Sequence, residues 1–312
     1  MLIATNDTVY EWSRDPAPAT QPRSIWAGGE VRALAVRGGC RLIGSDDGLH
    51  VVRSSRDTLL LTEISASISS LLLTREEPLC ALAGTEGAHL LAVDGDGVQG
   101  WIDAFDALSC RAHWHTPWGG PPAVRSLAAS SDGRTIYADI HVGSIMRSDN
   151  AGLTWSPVDD AIHEDVHQVS TSAAAPHRVY ANTANAVFVS DDRGQSWTHR
   201  CAGLSQRYGR AIAVHPAAPD CLLASVSDGP HGGRGRLYRS VDAGEHWQHV
   251  KDGFPAETQR NIDTFHVAFD GEGTAWCAVE ADLYRSTDRG LSWNVYWQAP
   301  ARIKSIACDN SG

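Results

Sequence analysis

The chain has 312 residues, 42% of them hydrophobic, and a formal net charge of −11 at pH 7. That length can fill an extensive core, no stretch is long and apolar enough to span a membrane, and the acidic balance argues against nucleic acid as a partner. Seven cysteines with no CxxC pair do not read as a disulfide framework, and no signal peptide is legible, so a cytoplasmic protein is expected.

In chain order, residues 2–14 read as a strand, a loop and a second strand. Three short strands follow at 31–36, 41–44 and 49–52, with a fourth near 58–62. A similar set begins at 69–73, 81–84 and 89–93. Next comes DGDGVQGW at 94–101, and then a long connecting segment, 102–123, that carries His113, Trp114, His115 and Trp118. Cys40, Cys80 and Cys221 fall near the start of second strands and read as structural thiols.

From there an eight-residue pattern recurs. Ser190, Asp192, Gly194 and Trp197 occupy its positions one, three, five and eight. Ser240, Asp242, Gly244 and Trp247 repeat it, as do Ser286, Asp288, Gly290 and Trp293. Ser148, Asn150, Gly152 and Trp155 form a fourth copy with Asn in place of Asp. The Ser positions are 42, 50 and 46 residues apart, the length of a four-stranded propeller blade. The chemistry suits a hairpin turn. The carboxylate accepts backbone N–H groups of its own turn, Gly allows positive φ, and Trp fills the space between sheets. The stretch at 94–101 reads as a decayed copy, and 215–220 (HPAAPD) and 263–267 (DTFHV) read as a turn and an inner strand.

These four copies resemble the Asp-box, or BNR, repeat family, first associated with sialidases. The family also includes sortilin-type receptors, xyloglucan-degrading enzymes and a photosystem II assembly propeller. The resemblance implies an all-β fold in which the boxes are architectural, on the face away from the usual active site. It does not fix a function. A sialidase is not expected, because the Arg-Ile-Pro segment of those enzymes is missing and Arg302-Ile303-Lys304 lies at the opposite end of the chain. The xyloglucan-degrading members place their cleft between two propellers, and one is expected here.

Residues 302–308 (RIKSIAC) match an inner strand with nothing after it, and residues 2–14 lack one. Pairing of the two ends would close a single seven-bladed β-propeller spanning 1–312, about 45 residues per blade. Six blades result if 54–123 is divided differently.

Function in such a ring belongs to the mouth, where loops enter the inner strands. The residues just before the seven aligned inner strands are Arg32, Ser69, Arg125, His167, Arg210, Phe265 and Lys304. Converging cations in an acidic protein suit a carboxylate, phosphate or sulfate, so the leading expectation is a ligand-binding propeller for an anionic small molecule or an acidic protein segment. The bland alternative pairs each cation with a loop carboxylate such as Asp46, Asp139, Asp228 or Glu280. A competing expectation is a lyase or hydrolase that holds a carboxylate-bearing substrate on those cations, with Asp139, His141 or Glu280 moving the proton. A third is a protein-interaction scaffold. Trp114 and Trp118 offer a stacking platform, or else a lid that packs on its own ring. No cofactor is expected, and no His spacing, including His163 to His167, is a metal signature.

Overall fold

The structure, a computed structural model, describes residues 1–12, 21–53, 56–61, 67–95, 97–158 and 160–309. Seven antiparallel sheets of four strands are arranged as blades. The first blade takes its inner strand from the far end of the chain: Ser305–Ala307 pairs with Leu2–Ala4, with Leu2 opposite Ala307 and Ala4 opposite Ser305. Blade 2 starts at Val31–Arg37, blade 3 at Ile68–Arg75 and blade 4 at Val124–Ala129. Blade 5 starts at Val166–Thr171, blade 6 at Tyr208–His215 and blade 7 at Val267–Phe269. The expected seven blades and their closure are therefore present. The fourth strand of blade 2 is Arg56–Leu61, and Thr62 lies outside the described residues.

The core sits between blades. One cluster joins Leu82 and Leu90 of blade 3 to Ile136, Met146 and Trp155 of blade 4. Another joins Tyr180 and Val189 of blade 5 to Leu222, Tyr238 and Trp247 of blade 6. In the repeated turn, the Ser190 hydroxyl donates to Asp192 Oδ1 at 2.8 Å, and Gly194 N–H donates to Ser190 Oγ at 2.7 Å. Asp192 Oδ1 also accepts the N–H groups of Gln195 and Ser196 at 2.9 and 2.8 Å. Asn150 makes the same turn, because its Oδ1 accepts from Ser148 Oγ at 3.0 Å and from Thr154 N–H at 2.9 Å. Trp155, Trp197, Trp247 and Trp293 are all buried, as the motif requires.

Three local expectations are corrected. Residues 263–266 form a turn, closed by His266 N–H donating to the Asp263 carbonyl at 3.0 Å, and the strand begins only at Val267. The broad turn expected at 215–220 shrinks to Pro216-Ala217, since strands end at His215 and resume at Ala218, which places Cys221 inside its strand. Cys80 is half-buried rather than buried. No helix among the described residues is long and apolar enough to cross a membrane.

Candidate functional site

The mouth residues share a backbone device that the sequence did not reveal. Arg32, Ser69, Arg125 and His167 each lie at a register shift in the ladder of their inner strand, between Val31 and Ala33, Ile68 and Ser70, Val124 and Ser126, and Val166 and Gln168. Arg210 lies in a longer shift between Gly209 and Ile212. A bulge leaves one residue unpaired and re-aims its side chain. Glu30 and Asp165 stand two residues before Arg32 and His167, and Asp263 stands two before Phe265, the matching mouth position of blade 7.

These carboxylates change the electrostatics of the mouth. Arg32 pairs with Glu30 and Asp46, both at 3.0 Å, and Lys304 reaches Glu30 at 3.8 Å. Arg210 lies 3.5 Å from Asp263, donates to the Pro230 carbonyl at 3.2 Å and stacks on Tyr208 at 5.1 Å. Arg302 sits between Asp263 and Glu280, each at 3.7 Å. The expected free ring of cations is therefore a network of ion pairs, and its charge is already spent inside the protein.

Asp165 is the centre of what remains. Its Oδ1 lies 3.1 Å from His167 Nε2, 3.9 Å from His141 Nε2 and 3.9 Å from Arg125 Nη1. These four side chains come from two blades, and all are 15% exposed or less. Asp165 Oδ1 and Arg125 Nη1 are both buried without a hydrogen-bond partner among the described residues. Both atoms are shielded from solvent and lie 3.9 Å from each other, so the Arg125 guanidinium and the Asp165 carboxylate face one another as a loose ion pair. His167 is fixed from behind: its Nδ1 donates to the Gly209 carbonyl, and its Nε2 lies 3.3 Å from the Tyr208 hydroxyl.

Burial opposes the charge of Asp165, but His167, Arg125 and His141 more than offset it and hold the carboxyl below its usual range. Burial, then the Arg125 charge, pushes His141 down to about 3 and His167 down to about 4. Near neutral pH the Arg125 guanidinium is therefore the one permanent cation beside the Asp165 carboxylate.

The predicted residues divide accordingly. Arg125, His141, His167 and Arg210 are gathered at this centre. Trp118, 68% exposed, stands at its rim with its ring 4.7 Å from that of His141. Trp114 is buried and packs against Phe105 at 5.6 Å, so the segment 102–123 acts as a lid, and this tryptophan offers no platform. Asp139 lies behind the mouth, wholly buried, with its oxygens accepting Ser126 N–H at 2.6 Å and Ser126 O–H at 2.9 Å. The same Ser126 Oγ accepts Val169 N–H at 2.8 Å, so Asp139 ties blade 4 to blade 5 and does not reach a ligand. Burial, partly opposed by Arg125, lifts its pKa to about 7. Glu280 is half-exposed on blade 7 between Arg260 at 3.6 Å and Arg302, with no contact to Asp139 or His141. Arg32 and Lys304 belong to the separate pairing around Glu30. Sequence reading missed Asp165, although its place in a loop entering an inner strand was a usable signal.

No family model matches the chain. Among curated proteins it is 28% identical over 198 residues to a probable oligoxyloglucan-reducing end-specific xyloglucanase of Neosartorya fischeri, covering 56% of this chain and 22% of the relative. It is 26% identical over 229 residues to a xyloglucanase of Hypocrea jecorina, covering 69% and 26%. The chain thus spans about a quarter of the length of these relatives. Among solved structures, a GH74 xyloglucanase from Xanthomonas campestris superposes with a TM-score of 0.61 at 18% identity, over 86% of this chain and 45% of that one, a likeness of fold. The expectation of an anion-binding propeller without chemistry is overturned. The relatives are named as hydrolases, and the cations on which that expectation rested are neutralised by carboxylates.

Proposed function

We propose that this protein is a hydrolase of glycosidic bonds in a polysaccharide, working at the Asp165 centre. The observation that carries the reading is the run of sequence shared with two proteins named as xyloglucanases, which covers more than half of the chain. The centre supports it. Glycoside hydrolysis uses an ionised carboxylate, either to activate water or to attack the anomeric carbon. Asp165 is the carboxylate whose ionised form is favoured at the mouth, and its side chain keeps 15% exposure there. Arg125 would bind a sugar oxygen beside it, and a C–H face of the same sugar would lie on Trp118. Glu280, on blade 7, remains the proposed proton mover; His141, pushed down to about 3, holds no proton to donate at working pH.

The test is the release of reducing ends from xyloglucan and from other soluble polysaccharides. Wild type is expected to be active, and Asp165→Asn is expected to lower the rate by about 10²–10⁴-fold without loss of folding. Glu280→Gln then tests the general acid, because loss of that acid removes the alkaline limb of the pH–rate profile. An inactive wild type across the panel, or an Asp165→Asn variant as fast as wild type, overturns the reading.

A further inference from the structure

Trp101 departs from its motif. The tryptophans of the four intact turns are 4–8% exposed, whereas Trp101 is 41% exposed. The cause is local. In blade 3, Asp94 pairs with Gly97, so the hairpin closes over two residues instead of the longer box turn. The strand Gly97–Trp101 therefore starts early and carries its tryptophan to the opposite end of the blade, paired with Leu91 and next to the short helix Asp103–Asp106. There Trp101 walls an open cleft of 590 Å³ with Ser67, Glu86, His89, Asp106 and Pro121. None of these residues belongs to the Asp165 centre.

The polar groups of the cleft are arranged for one kind of ligand. Asp106 takes His89 Nδ1 on both oxygens, at 2.8 and 2.9 Å, and Arg111 approaches the same carboxylate at 3.4 Å. A carboxylate only accepts, so Nδ1 carries the hydrogen, and Nε2 is the ring nitrogen left for a hydrogen bond to a ligand. The Glu86 carboxylate is exposed and makes no hydrogen bond or ion pair among the described residues. The Trp101 ring meets His89 edge-on at 5.2 Å and 63°. An exposed aromatic plane beside uncommitted acceptors suits a ligand with an apolar face and several hydroxyl donors.

We propose that this cleft is a second saccharide-binding site, which holds a pyranose unit of a polysaccharide apart from the point of cleavage. Trp101 stacks on the C–H face of the ring, Glu86 accepts its hydroxyls, and His89 Nε2 makes a hydrogen bond to another hydroxyl. The proposal rests on the glycan-hydrolase reading for the identity of the ligand, but not for the existence of the site.

The experiment measures binding of xyloglucan polysaccharide by calorimetry in the Asp165→Asn background, where the ligand is not consumed. Adding Trp101→Ala is expected to weaken binding about tenfold, roughly the loss of one stacking contact, while Trp101→Phe retains most of it. In the otherwise wild-type chain, Trp101→Ala leaves turnover of a short chromogenic glycoside unchanged. Thermal melting of each variant confirms folding, which the exposure of Trp101 favours. Unchanged binding in Trp101→Ala overturns the proposal, as does occupation of the cleft by tetramethylammonium in preference to the polysaccharide, which would mark an amine site. The two readings separate cleanly. Trp101-dependent binding without hydrolysis keeps this site and removes the hydrolase; hydrolysis with Trp101-independent binding does the reverse.

Discussion

Two aspartates beside one arginine, Asp139 and Asp165, illustrate how burial alone does not assign a role. Both are near Arg125, yet Asp165 is held ionised and Asp139 is lifted to about 7. The difference lies in their partners. Asp165 faces His167, His141 and Arg125, whereas Asp139 is sealed against Ser126. A carboxyl whose folded pKa lies above its unfolded value binds its proton more tightly in the native state. Its stabilising contribution is complete below about pH 4 and is lost as pH rises to about 7, beyond which both states are ionised. Asp139→Asn removes this titration while keeping an acceptor for Ser126 N–H. Its stability relative to wild type should therefore rise between pH 4 and 7, by up to about 1.4 kcal/mol per pH unit, and level off above. Urea midpoints at four pH values check this, and parallel curves for the two proteins would refute it. The acidic character of Asp139 was readable from sequence. Its enclosure was not, because it depends on Ser126 bridging to Val169 of the next blade.

At the scale of elements, the repeated turn and its glycine clasps decide how blades lock. Gly253 has φ +65°, and a Cβ there would fall 1.7 Å from the Trp293 carbonyl oxygen. Just before it, the Asp252 carbonyl accepts Trp293 N–H at 3.0 Å, so the segment is pinned against the box turn of blade 7. Gly253→Ala combines a left-handed backbone with a clash against backbone atoms. It is expected to cost about 3 kcal/mol or more, read as a lower midpoint in chemical denaturation. A cost below 1 kcal/mol would show that the clasp yields freely. The strands and intact turns were legible because period-two alternation and the Ser, Asp, Gly and Trp landmarks are local signals. Two features were not. The bulges at Arg32, Arg125 and His167 appear only when a strand is paired with its neighbour. The shortened hairpin that relocates Trp101 appears only when its register is known.

At the scale of the molecule, closure of the ring makes distant segments interdependent. Ile306 is 3% exposed and packs with Ile3, Trp276 and Trp297, so one strand joins the first blade to the seventh. Ile306→Asp puts a carboxylate into that cluster and is expected to lower the melting temperature by more than 10 °C and to promote aggregation through the opened edge of Leu2–Ala4. Light scattering during a thermal ramp distinguishes this from a local loosening, in which melting and scattering would stay near wild type. Closure was legible from the unmatched strands at 2–4 and 305–307. The Asp165 centre was only half legible: four of its neighbours were identified as mouth residues, but the carboxylate that organises them was not, because its importance arises from where Arg125, His141 and His167 meet.

The same closure sets a direction. Inner strands run away from the mouth, and Ala307 lies opposite Leu2 at the far end of that strand pair. Asp309 accordingly accepts Gly38 N–H at 2.8 Å on the underside of the ring. Leu2 and Ala307 therefore lie side by side on this underside. A partner that grips the ring at Leu2, Gly38 and Asp309 would hold the Asp165 mouth outward, with the approach to a long polymer unobstructed.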